Sequence, residues 1–145
     1  MLSRSSNRLF YRKLDNRVKV YDTDSNKEKT TLVDKDYQNN TYLCQTHNLK
    51  VDKKNGESNG SELFAVGCEN GQIIVWDVKR GIITCNLNMK NPSALKVYDL
   101  TISKDQKQLW TCSNTEMIAE YDLENKKWVR GISLAGKMTD AVKIW

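Results

Sequence analysis

The sequence predicts an all-β protein, an incomplete β-propeller of about three four-stranded antiparallel units. Three observations carry that expectation. Short β-branched and aromatic runs alternate with Gly-, Asn- and Lys-bearing turn segments along most of the 145 residues. Three of the runs end alike: "NRVKVYD" at 16–22, "QIIVWD" at 72–77 and "MIAEYD" at 117–122. The closing aspartates lie 55 and 45 residues apart, and the longer interval holds the polar stretch "KVDKKNGESNGSE" at 50–62. Setting roughly ten of those residues aside as a loop insertion brings both strides near 45, the period of a four-stranded propeller blade.

The elements follow in order. A first unit spans about 9–33, where Leu9, Phe10 and Tyr11 suit a strand that runs on into "RVKVYDT". The second, about 41–87, begins with "TYLCQTHNL" and continues past the 50–62 insertion. It then reads "LFAVGC" (63–68), "IIVWDV" (73–78) and "IITCNL" (82–87), separated by "ENGQ" and "KRG", which carry tight-hairpin chemistry. The third, about 97–134, contains "LKVYDLTIS", "QLWTCSN", "IAEYDLE" and "WVRGISL", with "KDQK" and "NKK" at the turns. "DAVKIW" at 140–145 reads as the start of a fourth unit. Helical apolar spacing with caps occurs nowhere over a useful length.

Composition bounds the rest. Hydrophobic residues at 39% and charged residues at 28% describe a globular chain, and no apolar run approaches the roughly 20 residues of a membrane-spanning helix. Cys44, Cys68, Cys85 and Cys112 form no CxxC pair, so zinc and dithiol redox chemistry are not expected. Each sits among strand formers and reads as a small buried hydrophobe. The Asn39 and Asn59 sequons matter only in a secreted chain, and no secretory core opens this one. The start, "MLSRSSNRLFYRKL", has the basic, acid-poor composition of a mitochondrial transit peptide, but it runs directly into strand-forming sequence.

At the second and third units the chain resembles the WD-repeat family. "GCENGQIIVWD" (67–77) follows that family's pattern of Gly-Ser-Asp-Asp-Gly, a β-run and Trp-Asp, position for position. "LWTCSNTEMIAEYD" (109–122) has the same layout, with Glu116 in place of glycine and Tyr121 in place of tryptophan. The resemblance implies that Trp76 and Tyr121 pack between neighbouring blades and that the next Asp starts the turn to the outermost strand. One departure is clear. The family often carries a Gly-His whose His joins a buried hydrogen-bond network, whereas His47, the single histidine here, follows Thr46. His47 is expected to be a satisfied or solvent-facing structural histidine, and the chain a divergent member.

The order of units, with a polar, lysine-bearing insertion after the second unit's first strand, is similar to the amino-terminal propeller of a narrower family. These are the nucleolar WD-repeat subunits of the UtpA (t-UTP) part of the small-subunit processome. That likeness implies a non-catalytic scaffold in ribosome biogenesis, located in the nucleus and nucleolus and serving pre-rRNA transcription and small-subunit rRNA processing. Its partners would be other protein subunits of a large assembly, with pre-ribosomal RNA as a candidate. No membrane and no small-molecule substrate are expected. The alternative is a generic WD-repeat adaptor of a degradation or trafficking complex, with a cytoplasmic location.

No catalytic constellation is expected: one His, no GxSxG, no phosphate-cradling Gly-rich loop, and no cofactor or metal ligand set. Asp22 and Asp24 read as turn residues rather than an acid–base pair. The net charge of +5 leaves basic clusters as the candidate contacts for RNA or a protein partner: Lys53 and Lys54, Lys79 and Arg80, and Lys126 and Lys127. Aromatics do not interleave with them as a base-stacking platform would need. Three units fall short of the ~4–8 blades of a closed ring. The chain is therefore expected to be a piece of a longer propeller or a subunit completed by something else, and to be poorly soluble or oligomeric alone.

Overall fold

The structure is a computed structural model that describes residues 2–3, 8–12, 17–35, 40–50, 60–88, 96–114 and 117–133. Those residues are all-β, in three antiparallel sheets taken in chain order. The first sheet comprises β1 (Leu2–Ser3), β2 (Arg8–Arg12), β3 (Arg17–Asp22) and β4 (Lys27–Val33); β1 is only a two-residue edge pairing onto β2. In the second lie β5 (Tyr42–Leu49), β6 (Glu62–Cys68), β7 (Gln72–Asp77) and β8 (Ile82–Asn88). The third holds β9 (Val97–Ile102), β10 (Gln108–Ser113), β11 (Met117–Asp122) and β12 (Lys127–Ser133). Within every sheet each strand pairs with the next in sequence. The predicted starts at 41, 63, 97 and 108 lie within a residue of the observed starts at Tyr42, Glu62, Val97 and Gln108; Glu62, counted with the polar insertion, opens β6.

Burial explains why β6 and β7 are apolar on both sides. Alternate side chains of a strand point to opposite faces, and the second sheet is covered on both. Phe64, Val66, Ile74 and Trp76 join Phe10, Val18, Val20 and Leu32 of the first sheet in one core cluster. Ala65, Ile73, Val75, Cys85 and Leu87 join Val97, Leu100, Leu109, Ala119 and Tyr121 of the third sheet in another. Five consecutive residues of β7, Gln72 to Trp76, are therefore buried, whereas six of the seven in β12 are exposed. At roughly 1.5–3 kcal/mol per buried large apolar side chain, these two interfaces supply the driving force that separate hairpins would lack.

Local geometry repeats with the packing. Each pairing of a third strand with a fourth carries a register shift one residue before its aromatic: Val20/Tyr21, Val75/Trp76 and Glu120/Tyr121. The following Asp then caps the turn. Asp22 Oδ1 accepts from the Ser25 N–H at 2.9 Å, Asp77 Oδ1 from Arg80 at 3.1 Å, and Asp122 Oδ1 from Asn125 at 2.9 Å. Four residues after each Asp the chain adopts positive φ, at Asn26 (54°), Gly81 (66°) and Lys126 (55°). A turn ending in one left-handed residue is the usual hairpin solution with a bulge.

The first strands of the second and third sheets approach closely. β9 lies against both β5 and β6, while β12 meets β8 at few positions. Gly67 permits the approach: a Cβ there would sit 2.4 Å from Val97 Cγ1 and 2.6 Å from Cys44 Sγ. Near it, the Cys44 thiol donates to the Val97 carbonyl at 3.3 Å.

Candidate interaction surfaces

Antiparallel order places the loop between first and second strands, and the turn between third and fourth, at the same end of each sheet. Hydrogen bonds tie these connections into one edge of the stack. Val78 N–H donates to the Glu62 carbonyl at 2.9 Å, and Leu123 N–H to the Lys107 carbonyl at 2.9 Å. Gln106, at φ 62°, crosses from the third sheet to the second, donating from Nε2 to the Ser61 carbonyl (2.9 Å) and to Asn48 Oδ1 (3.0 Å).

Lys79 and Arg80 lie on this edge in the β7–β8 turn, and Lys126 and Lys127 lie on it at the β11–β12 turn. They are not equivalent positions of the repeat. Lys79 and Arg80 match Glu124 and Asn125, while Lys126 and Lys127 match Gly81 and Ile82. Acids intervene: Lys107 Nζ is 3.6 Å from Glu124 Oε1, both exposed, and Asp105 is bonded to the Ser103 hydroxyl at 2.6 Å. The edge therefore carries alternating charge, with exposed cations at its turns, and is not a uniform positive field. Lys53 and Lys54 lie outside the described residues.

A polar cluster that the sequence did not announce joins the first two sheets. The Glu62 carboxylate, 1% exposed, takes Arg8 Nη1 of β2 on Oε2 and His47 Nε2 of β5 on Oε1, the latter at 2.9 Å. The Phe10 ring lies 4.6 Å from the His47 ring and stacks on Phe64 at 4.7 Å. His47 is thus satisfied and its side chain buried. Glu62 was missed because it follows "NGESNGS", whose polarity reads as loop. The usable signal was its place one residue before an apolar run, where a lone acid must be paired if it enters the strand.

The third sheet has one face with no described cover. Trp110, Cys112, Ile118 and Ile132 lie on it, and Ile132 is 41% exposed. Two charges sit among them: Arg130 Nε donates to Glu120 Oε2 at 2.7 Å, and its guanidinium is 5.7 Å from the Trp110 ring centre. Gln108 Nε2 donates to the other Glu120 oxygen at 2.9 Å. Beside Trp110 a groove of about 200 Å³ runs to Asp99, Thr101 and Cys112, with Gln45 and Thr46 on its far wall.

None of these groups makes a nucleophile with an adjacent base. All four cysteines are free thiols. Burial pushes the Cys44 and Cys68 thiols up to about 12, and those of Cys85 and Cys112 upward as well, away from the reactive thiolate. Asp22 is bonded to the turn it caps, and its carboxyl is held below the usual value by the Ser25 N–H and hydroxyl. Among the described residues no group of three or more His, Cys, Asp or Glu is placed to hold a metal ion. No protein-family model matches the chain, and no curated protein sequence matches it.

Proposed function

We propose that the chain is an arc of a WD-repeat β-propeller and acts as a non-catalytic scaffold in ribosome assembly, of the UtpA (t-UTP) kind. One observation carries the architectural part. Three consecutive antiparallel sheets stack face to face and share one turn geometry at Asp22–Asn26, Asp77–Gly81 and Asp122–Lys126. The close approach of β9 to β5 and β6, with β12 further from β8, suits a fan whose first strands face an axis. Trp76 and Tyr121, both 0% exposed, each face the preceding sheet, as blade aromatics do.

The ribosome-assembly part rests on the sequence resemblance at 67–77 and 109–122 and on the order of units. Rim turns bearing Lys79, Arg80, Lys126 and Lys127 supply exposed cations for phosphate or for an acidic partner. The test is a tagged full chain expressed in cells. Nucleolar fluorescence and co-purification with other processome subunits are expected; diffuse cytoplasmic signal with degradation or coat proteins would replace this reading with a generic adaptor. Reversing the four rim charges is expected to reduce crosslinking to pre-ribosomal RNA, and unchanged crosslinking would remove RNA from the partner list.

A further inference from the structure

We infer that two copies of this chain associate head to tail, the open face of the third sheet of one against the open face of the first sheet of the other. The face-to-face alignment rests on the propeller reading above; the pairing itself rests on the repeat register and charge. Corresponding positions of the sheets follow from their pairing. Leu9↔Tyr21, Phe64↔Trp76 and Leu109↔Tyr121 are the same pair, as are Val20↔Thr30, Val75↔Cys85 and Glu120↔Arg130.

Two positions decide the match. At the covered interfaces, the face turned to the following sheet carries Val20 and then Val75, which share a core cluster with the next sheet's Ile74 and then Ala119. In the third sheet that position is Glu120, and in the first sheet the position equivalent to Ile74 and Ala119 is Lys19. Likewise Cys85 is covered by the cluster that Trp128 packs against. The third-sheet equivalent of Cys85 is Arg130, and the first-sheet equivalent of Trp128 is Glu28. Extending the stack by one step thus sets Lys19 of a second copy on Glu120, and its Glu28 on Arg130.

Both pairs have the right sign. Within one chain these groups are already paired along their own sheets, Lys19 Nζ with Glu28 Oε2 at 2.5 Å and Arg130 with Glu120. Among the described residues they stand on the two outer faces of the stack, with the second sheet between them. Stacking merges two pairs into one four-charge network, flanked by Tyr21 and Leu9 on one side and Ile118 and Ile132 on the other. Opposite charges in register favour one partner and one alignment, while like charges in register repel strongly.

The experiment swaps each ion pair within its own sheet. The double variant Lys19→Glu with Glu28→Lys keeps the in-sheet bridge, as does Glu120→Arg with Arg130→Glu. Sedimentation of the wild type at micromolar concentration is expected to give twice the 16.7 kDa chain mass. Either swap alone sets like charges across the interface and weakens association by on the order of a hundredfold, while unfolding transitions of the swapped chains verify that they fold. Combining both swaps restores the dimer. A monomeric wild type, or a dimer indifferent to both swaps, overturns the pairing. Small-angle scattering separates the two readings: a monomer whose profile fits the three-sheet stack overturns only the pairing, and one that does not fit overturns the propeller reading as well.

Discussion

Glu62 holds two sheets through one carboxylate, and its worth follows from what its removal would strand. Arg8 is 13% exposed at its side chain and His47 1%, so Glu62→Ala leaves a guanidinium unpaired in a desolvated site. The expected loss is about 3–5 kcal/mol, read as a fall in the urea midpoint. Tyr121 poses the opposite case. Its ring is fully buried, yet its hydroxyl has no hydrogen-bond partner among the described residues. Tyr121→Phe removes an unsatisfied polar group at constant shape and is expected to stabilise the chain by roughly 1 kcal/mol; a lower melting temperature would show that the hydroxyl is satisfied. Gly67 is constrained by space. A methyl group there meets Val97 at 2.4 Å, so Gly67→Ala is expected to cost about 1–3 kcal/mol through displacement of β9.

At the scale of the element, the repeated hairpin between third and fourth strands is the unit of design. Asn and Gly tolerate the left-handed residue that ends the first two turns, whereas Lys126 in the third pays a steric penalty there. Lys126→Gly is expected to raise stability by about 1 kcal/mol, measured by thermal unfolding. The capping aspartates make these turns acid-sensitive. Hydrogen bonds from Ser25 hold the Asp22 carboxyl below its ordinary 3.8, and those from the Asn125 side chain and backbone do the same for Asp122. A lowered folded value means stabilisation that is complete above the unfolded value and is lost as pH falls through the folded one. Melting temperature is therefore expected to hold from neutrality to about pH 5 and to fall below 4, with the slope reduced in a variant carrying both Asp22→Asn and Asp122→Asn.

For the whole molecule, position in the stack sets how much each sheet depends on its neighbours. The second sheet is buried on both faces, and Trp76 lies at its junction with the first, 6.2 Å from Phe64 and 6.4 Å from Tyr42. Trp76→Ala is expected to cost about 3–5 kcal/mol. Trp110→Ala, on the outer described face, should cost far less in a chain kept monomeric by the Lys19→Glu, Glu28→Lys swap, and equal losses there would mean that the face is covered within one chain. The two outer described faces carry the charges Lys19 and Glu120, each in an ion pair along its own sheet, at positions where the covered faces carry Ile74, Ala119, Val20 and Val75.

The all-β class, the stride of the repeat and the turn positions were written in the sequence, because strand alternation, turn chemistry and a recurring Tyr-Asp or Trp-Asp act over a few residues. The burial of β7 on both sides was also legible, in the unbroken run Ile73–Trp76. What lay beyond local reading was which distant groups meet. Arg8 and Glu62 are 54 residues apart, Asn48 and Gln106 are 58 apart, and only the stacking of one sheet on another brings them within hydrogen-bond reach. The same stacking decides that Val75 joins an apolar core while its counterpart Glu120, also buried, lies on a face that no described sheet covers and is bonded to Gln108 and Arg130. A position in a repeat fixes where a side chain points, but the neighbouring sheet fixes whether that direction is interior or surface.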